Sequence, residues 1–247
     1  MSSIRIAADI LRYLEGEREI SVSAVSTTFG LPKSSVSRLL KEMSEAGFLA
    51  RSPGTRRYGP GPLLLSAGRQ YKAGLELVDR ATVELEALVR RFGHSGFVSA
   101  LDRANLVLIR AVPGTRAVRV SIDDRYTGGT AFYRSSGRAL LARLTDDEVR
   151  ALYPVAIKAP STFSPQTIEE LLGELQRIRG KGYAEGHDEE VEDVAGVSVA
   201  IGGGDQDAVA LNICFATKLV DEEQRMEIAA AMLEVAQKWA ETAGATD

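Results

Sequence analysis

Four residues, Gly59-Pro60-Gly61-Pro62, constrain this chain more than any others. Proline has a fixed φ and no backbone N–H, so neither a helix interior nor a central strand runs through two of them. The stretch reads as a boundary between a short N-terminal part and a longer C-terminal one, and 247 residues suit two domains. Charge divides at nearly the same place. Residues 1–70 carry ten Lys and Arg against six Asp and Glu, a net of +4, and the remainder carries a net of −8. A basic minor portion joined to an acidic major portion is the asymmetry expected when one end alone meets phosphates.

The N-terminal part holds three helical patterns. Ile6, Ile10, Leu11 and Leu14 make one apolar face, with Gly16 as the stop. A shorter helix from about Ser21 to Phe29 follows, with Ser21 as N-cap. Gly30-Leu31-Pro32 makes a tight break, and Pro32 suits the first turn of the next helix. In that third helix, to about Ala46, Val36, Leu39, Leu40 and Met43 form one buried stripe. Its other face is Lys33, Ser34, Ser35, Ser37, Arg38 and Lys41. Short hydroxyls beside long cations let a helix approach a phosphate-lined groove and still offer hydrogen bonds. Two short strands around Pro53-Gly54 then form a hairpin, with Arg51, Arg56 and Arg57 on or near its tip. Helix, helix, turn, helix and basic hairpin is the order of a winged helix-turn-helix, in which the third helix reads base edges and the hairpin arginines neutralise phosphates. The alternative is a small helical dimerisation module whose polar third-helix face is solvated.

Beyond the boundary, helices are expected over Leu63–Ala73 and Glu76–Phe92. Extended runs follow at Phe97–Leu101, Leu106–Val112 and Ala117–Ile122. Gly137–Leu144 reads as a helix. Thr145 opens a capping box for another, and Ser164 and Pro165 open a third that ends at Gly182. Val197–Ile201 and Ala208–Phe215 read as strands separated by Gly202-Gly203-Gly204, and Asp221 caps a last helix. An antiparallel sheet with flanking helices makes this an α+β domain.

Several segments carry a family resemblance. GLPKSSVSRLLKEMSEAGFL (30–49) resembles the helix-turn-helix of the IclR family of regulators, and RSPGTRRYGPGPLLLSAG (51–68) its wing and linker-helix entry. SSGRALLA (135–142) is similar to the family's GKALLA segment, and LQRIRGKGYAEGHDEE (175–190) to its GYA and DEE stretch. The resemblance implies a winged helix-turn-helix over 1–61, a linker helix over 62–74, and a GAF-like effector-binding and oligomerisation domain over 75–247. It also implies a double-stranded DNA operator, a homodimer or dimer of dimers, and a small organic effector, often an acid or aromatic compound. A repressor is the expected form.

By the same match, the effector site comprises the turn Ser135-Ser136 leading into Gly137, His187 or Asp188 in the acidic stretch, Gly196, and the strand residues Asn212 and Cys214. The helix N-terminus at 135–137 would direct N–H groups at an anionic oxygen, and Asn212 would donate a further hydrogen bond. Asn212 and Cys214 share a sheet face through their period of two. Where the family often has cysteine this chain has Gly196, and Ala200 stands where proline usually follows. Phe132, Tyr133 and Arg134 either favour a carboxylate on an apolar body or are ordinary core and surface residues.

Other chemistry is poorly supported. Two histidines, His94 and His187, exclude an all-histidine metal cage, and pairing His187 with Cys214 lacks a third ligand, so no metal or cofactor is expected. Asp188-Glu189-Glu190 and Glu192-Asp193 suggest either carboxylate catalysis or a solvated loop, with no nucleophile and base legible beside them. The expectation is a regulator rather than an enzyme. The rivals are an enzyme that turns over its ligand and a protein adaptor that binds no DNA. A single cysteine and the lack of a long apolar run point to a cytoplasmic protein with no membrane partner.

Overall fold

A computed structural model describes residues 3–15, 17–70, 72–120, 129–203 and 207–244. The described residues up to Ala73 form one compact unit, and those from Gly74 onward form a second.

The first unit runs α1 (Ser3–Glu15), β1 (Ile20–Ser21), α2 (Val22–Phe29), α3 (Lys33–Glu45), β2 (Leu49–Arg51), β3 (Arg57–Pro60) and α4 (Pro62–Gln70). Its core is Ile10, Leu14, Ile20, Val25, Val36, Leu40, Met43 and Leu49, so the stripe of α3 packs against α1, α2 and the sheet as its spacing requires. Ser21 caps α2 by accepting from the Ala24 N–H at 3.2 Å, and Gly30 ends it with φ of 63°. The wing holds three strands in the order β1-β3-β2, one more than the sequence suggested. β1 is two residues long, too short to leave an alternation signal. The expected stop at Gly16 lies outside the described residues.

Gly59–Pro62 proves to be stitched down. β3 runs through Pro60, the Gly61 N–H donates to Phe48 O at 2.9 Å, and the Leu63 N–H donates to Gly47 O at 3.1 Å. A Cβ on Gly61 would overlap the Gly47 carbonyl oxygen, so backbone contact demands glycine there.

The second unit takes in α5 (Lys72–Phe92) from Gly74 onward, β4 (Ser95–Asp102), β5 (Asn105–Val112), β6 (Gly129–Thr130), a 3-10 turn over Ala131–Tyr133 and α6 (Ser135–Leu141). It continues with α7 (Asp146–Leu152), α8 (Ile168–Lys181), β7 (Ala184–His187), β8 (Val194–Gly203), β9 (Asp207–Ala216) and α9 (Glu222–Gly244). The sheet is antiparallel throughout, in the order β6-β5-β4-β9-β8-β7. One face presents Val197, Val199, Ile201, Leu211 and Ile213 to α5 and α9, where Leu85, Val89, Ile228 and Met232 bury. The other face carries Ala184 and Ala210 beneath α6, α7 and α8, whose Leu141, Val149, Leu171 and Leu175 complete a second core.

Two of the differences from the sequence expectation have a clear local cause. Ala117–Val120 form no strand, and Ile122 lies outside the described residues. The Ala117 run alternates arginine with valine and has the period of a strand. Arg116 instead bonds Phe92 O at 3.0 Å and Arg119 bonds Gly114 O, which fold the chain back locally. Helix α8 begins after Thr167, whose hydroxyl accepts from the Glu170 N–H at 3.2 Å, so Ser164 and Pro165 belong to the preceding turn. The Thr145 capping box and the Asp221 cap, which accepts from the Gln224 N–H at 2.8 Å, are as expected.

Candidate functional site

The polar face of α3 lies in solvent. Lys33, Ser34, Ser35, Ser37, Arg38 and Lys41 are all exposed, and Arg51, Arg56 and Arg57 are exposed on the wing. Arg38 and Lys41 have only loose i,i+4 partners, Glu42 at 3.8 Å and Glu45 at 3.6 Å, which a phosphate would outcompete. Pro32 stands at the N-cap of α3 and supplies no side-chain acceptor, so that helix end keeps N–H groups available to an anion. The wing is held against β1 by a hydrogen bond from the Ser52 hydroxyl to Glu19.

In the second unit, strand register builds a different kind of site. Ser198 of β8 pairs with Asn212 of β9, and Gly196 pairs with Cys214, so these four share the α6 face of the sheet. Phe97 of β4 pairs with Asn212 from the other side. The Asn212 amide nitrogen donates to Ser198 Oγ at 2.9 Å and to Val197 O at 3.3 Å. Ser198 Oγ also lies 3.0 Å from Ser135 Oγ and 3.4 Å from Ser136 Oγ. All four side chains are buried. The sequence reading named three of these four; Ser198 was missed, although it lies two residues from Gly196 on the same face.

The Asn212 amide nitrogen is thus engaged by the protein itself, through Val197 O and Ser198 Oγ. Gly196 acts by its lack of a side chain, since a Cβ there would stand 2.8 Å from Asn212 Nδ2. Gly137 packs on the 3-10 turn, where a Cβ would overlap Ala131 O, and so sets how closely α6 approaches. Burial pushes the Cys214 thiol up to about 12, which favours the protonated form at neutral pH.

The acid-rich turn sits against the start of α6. Arg138, with a side chain only 3% exposed, bonds the Glu189 carboxylate and donates to Glu185 O at 2.7 Å. The Ser135 backbone N–H is also directed at that carboxylate, so an internal anion occupies the position expected for an effector's oxygen. Burial raises Glu189 to about 7, with Arg138 pulling the other way. Gly186 leaves room for it; a Cβ there would overlap the carboxylate. One turn earlier Arg134 pairs with Glu190 and lies over Tyr133. Phe132 is a core ring, edge-on to Tyr133 and Tyr153 at 5.5 Å.

His187 and Asp188 stand apart from the serine–asparagine cluster. His187 packs edge-on to Phe163 at 4.8 Å and joins Arg138, Glu189, Glu174 and Arg177 around a cavity of about 360 Å³. Asp188, at φ of 52°, accepts the Asp193 N–H at 2.7 Å and shapes the turn. Asp193 is held by Lys218 at 2.6 Å, and Glu190, Glu192 and Asp193 are exposed, so much of the acid run is a solvated turn while Glu189 faces inward to Arg138. Among the described residues no three His, Cys, Asp or Glu are grouped to hold a metal ion, and no helix is long and apolar enough to cross a membrane.

A basic winged helix-turn-helix followed by a two-faced antiparallel sheet defines a helix-turn-helix transcriptional regulator. Two family models match it: the IclR helix-turn-helix domain over residues 3–53, and the bacterial transcriptional regulator IclR C-terminal domain over residues 69–241. The chain belongs to the IclR family. It is 27% identical over 241 residues to the HTH-type transcriptional regulator KdgR of Escherichia coli, spanning 96% of this chain and 91% of that protein. It is also 27% identical to E. coli XynR, over 91% of this chain and 90% of that one. An IclR regulator structure from Silicibacter superposes with a TM-score of 0.83 at 24% identity, covering 98% of this chain and 96% of that one. An IclR homologue from Microbacterium hydrocarbonoxydans, solved with 4-hydroxybenzoate, gives a TM-score of 0.74 at 17% identity, covering 95% and 99%.

Proposed function

We propose that this chain is a repressor that leaves its operator when a small organic acid, aromatic or aliphatic, binds its second unit. The observation that carries the DNA half is the α3 face, where six cations and hydroxyls stand exposed above a fully apolar stripe. Such a face costs nothing to keep solvated, yet complements a groove and its phosphates. Residues 1–61 act as the head, 62–74 as the linker helix and 75–247 as the sensing and oligomerisation part. A homodimer or dimer of dimers would set two α3 helices on half-sites spaced by about 34 Å or a multiple of it. Leu63 and Leu65 on α4, 41% and 61% exposed, support self-association through that helix.

The effector half draws on the buried Ser135, Ser136, Ser198 and Asn212 group, and on the relative solved with an aromatic acid. Regulation by an effector requires a coupling of only about 1–3 kcal/mol. Fluorescence anisotropy against DNA from the chain's own upstream region tests the reading. Tight binding that falls with salt, and release by an organic acid, is the expected result. Absence of DNA binding would favour the adaptor. Turnover of the acid without any effect on DNA would favour the enzyme.

A further inference from the structure

The hydrogens around Asn212 can be counted, and the count says what an effector has to bring. A primary amide has two N–H donors and one carbonyl acceptor. Val197 O, a backbone carbonyl, only accepts, so the atom 3.3 Å from it must be the amide nitrogen and the orientation of the side chain is settled. The second N–H goes to Ser198 Oγ at 2.9 Å. Both donors of Asn212 are used. Its Oδ1 has no protein partner among the described residues, although Asn212 is only 6% exposed, and that oxygen is not among the fully buried unpaired atoms, so it is not completely sealed.

Ser198 Oγ, already an acceptor from Asn212, has one hydrogen and one further lone pair for the two serines beside it. One of Ser135 and Ser136 therefore receives the Ser198 hydrogen and keeps its own free, while the other donates to Ser198. The wall so formed offers one acceptor, Asn212 Oδ1, and one hydroxyl donor. Phe97, paired with Asn212 in register and 4% exposed, provides the apolar surface beside it. A bare carboxylate or ether placed against Oδ1 meets an unmatched oxygen, and leaving a buried acceptor unpaired costs about 1–3 kcal/mol.

We infer that the effector carries a neutral hydrogen-bond donor, a hydroxyl or amino group, in addition to its acid, and that Asn212 Oδ1 selects for it. Gly196 is part of the same device, because any side chain there displaces the amide. The inference rests on the effector reading above and adds to it the chemistry of a second group on the ligand.

Titration calorimetry on the full chain tests it with two matched series: benzoate, 4-hydroxy-, 4-amino- and 4-methoxybenzoate, and propionate, lactate and 2-methoxypropionate. The donor-bearing acids of at least one series should bind roughly tenfold or more tighter than their methoxy partners, as the loss of one buried hydrogen bond implies. Which of hydroxy and amino binds better identifies the donor. Asn212→Ala should bring the hydroxy-to-methoxy ratio close to one, and Gly196→Ala, which displaces the amide without deleting it, should do the same. In the ligand-free chain, the Asn212 side-chain N–H protons, assigned by their loss in Asn212→Ala, should exchange with solvent at least about tenfold slower than those of a free amide. Methoxy acids that bind as tightly as hydroxy acids, or Asn212 protons that exchange freely, would overturn the inference and leave the acid reading standing. Failure of every acid to bind at millimolar concentration would remove both.

Discussion

The two units of this chain hold their functional polar groups in opposite ways. In the first, the residues proposed to meet DNA lie in solvent with weak partners or none, and the core beneath them is wholly apolar. In the second, the polar residues of the candidate sensor are buried and bonded to one another, and an ion pair as deep as Arg138–Glu189 ties the acid turn to α6. A face that binds a polyanion through charge needs no preorganisation, since water solvates it until the partner arrives. A pocket that distinguishes small molecules needs fixed donors and acceptors, and fixing them requires burial. Substitutions of the exposed polar residues of the first unit should therefore change binding without changing stability, whereas for the buried polar residues of the second the two should move together.

The strongest test is Arg138→Met. It leaves the Glu189 carboxylate, 11% exposed at the cavity wall, without its cation, and losing one partner of a buried pair costs about 3–5 kcal/mol. The change should appear in urea unfolding and should depend on pH. Glu189 titrates near 7 in the folded chain, above its ordinary value of 4.5. With the folded value raised, its contribution is fully present below 4.5 and is lost as pH rises through about 7. The wild-type urea midpoint should fall between about pH 5 and pH 8 through this group, and Glu189→Gln should flatten that slope. Arg138→Met should steepen it, because the cation that favours the carboxylate is gone. An unchanged midpoint would mean the pair is solvated and the contrast between the units is weaker than drawn.

Glycine substitutions come next. Gly137→Ala forces a Cβ onto Ala131 O and Gly61→Ala forces one onto Gly47 O, each expected to cost about 1–3 kcal/mol. Calorimetry should show the first lowering the transition of the second unit and the second lowering that of the first. A single transition shifted equally by both would mean that the units unfold together. Thr145→Ala, which removes half of a capping box on α7, should cost about 1 kcal/mol and leave DNA binding unaltered.

At the small end, Arg38→Ala should leave stability within about 0.5 kcal/mol and lower the salt slope of operator binding by about one unit. Lost stability with intact DNA affinity would invert the comparison.

The difference between the units also decided what could be read from sequence. The head was legible almost residue by residue, because exposed hydroxyls and cations opposite Val36, Leu40 and Met43 are a one-dimensional pattern. The architecture of the second unit was legible through its long strands and capped helices, whereas β6 and β7, of two and four residues, were too short for periodicity to register. The candidate site was legible in part. Ser135, Ser136 and Asn212 do meet, yet the residue that joins them, Ser198, is set by the β8–β9 register, which no local pattern encodes. Arg138 looked like an ordinary helix cation. Its pairing with Glu189 across 51 positions exists only in three dimensions.

Cys214 has a practical consequence for labelling the chain. It is the chain's single cysteine, and burial pushes its thiol up to about 12, well above the usual range. A maleimide or spin label reacts with thiolate, so the native chain should remain nearly unlabelled at neutral pH. A cysteine placed at exposed Ser37 or Arg56 then takes the dye alone, in the wild-type background and with no thiol removed. Distances between the heads of the proposed oligomer, with and without an acid, become measurable on a protein whose candidate sensor is untouched.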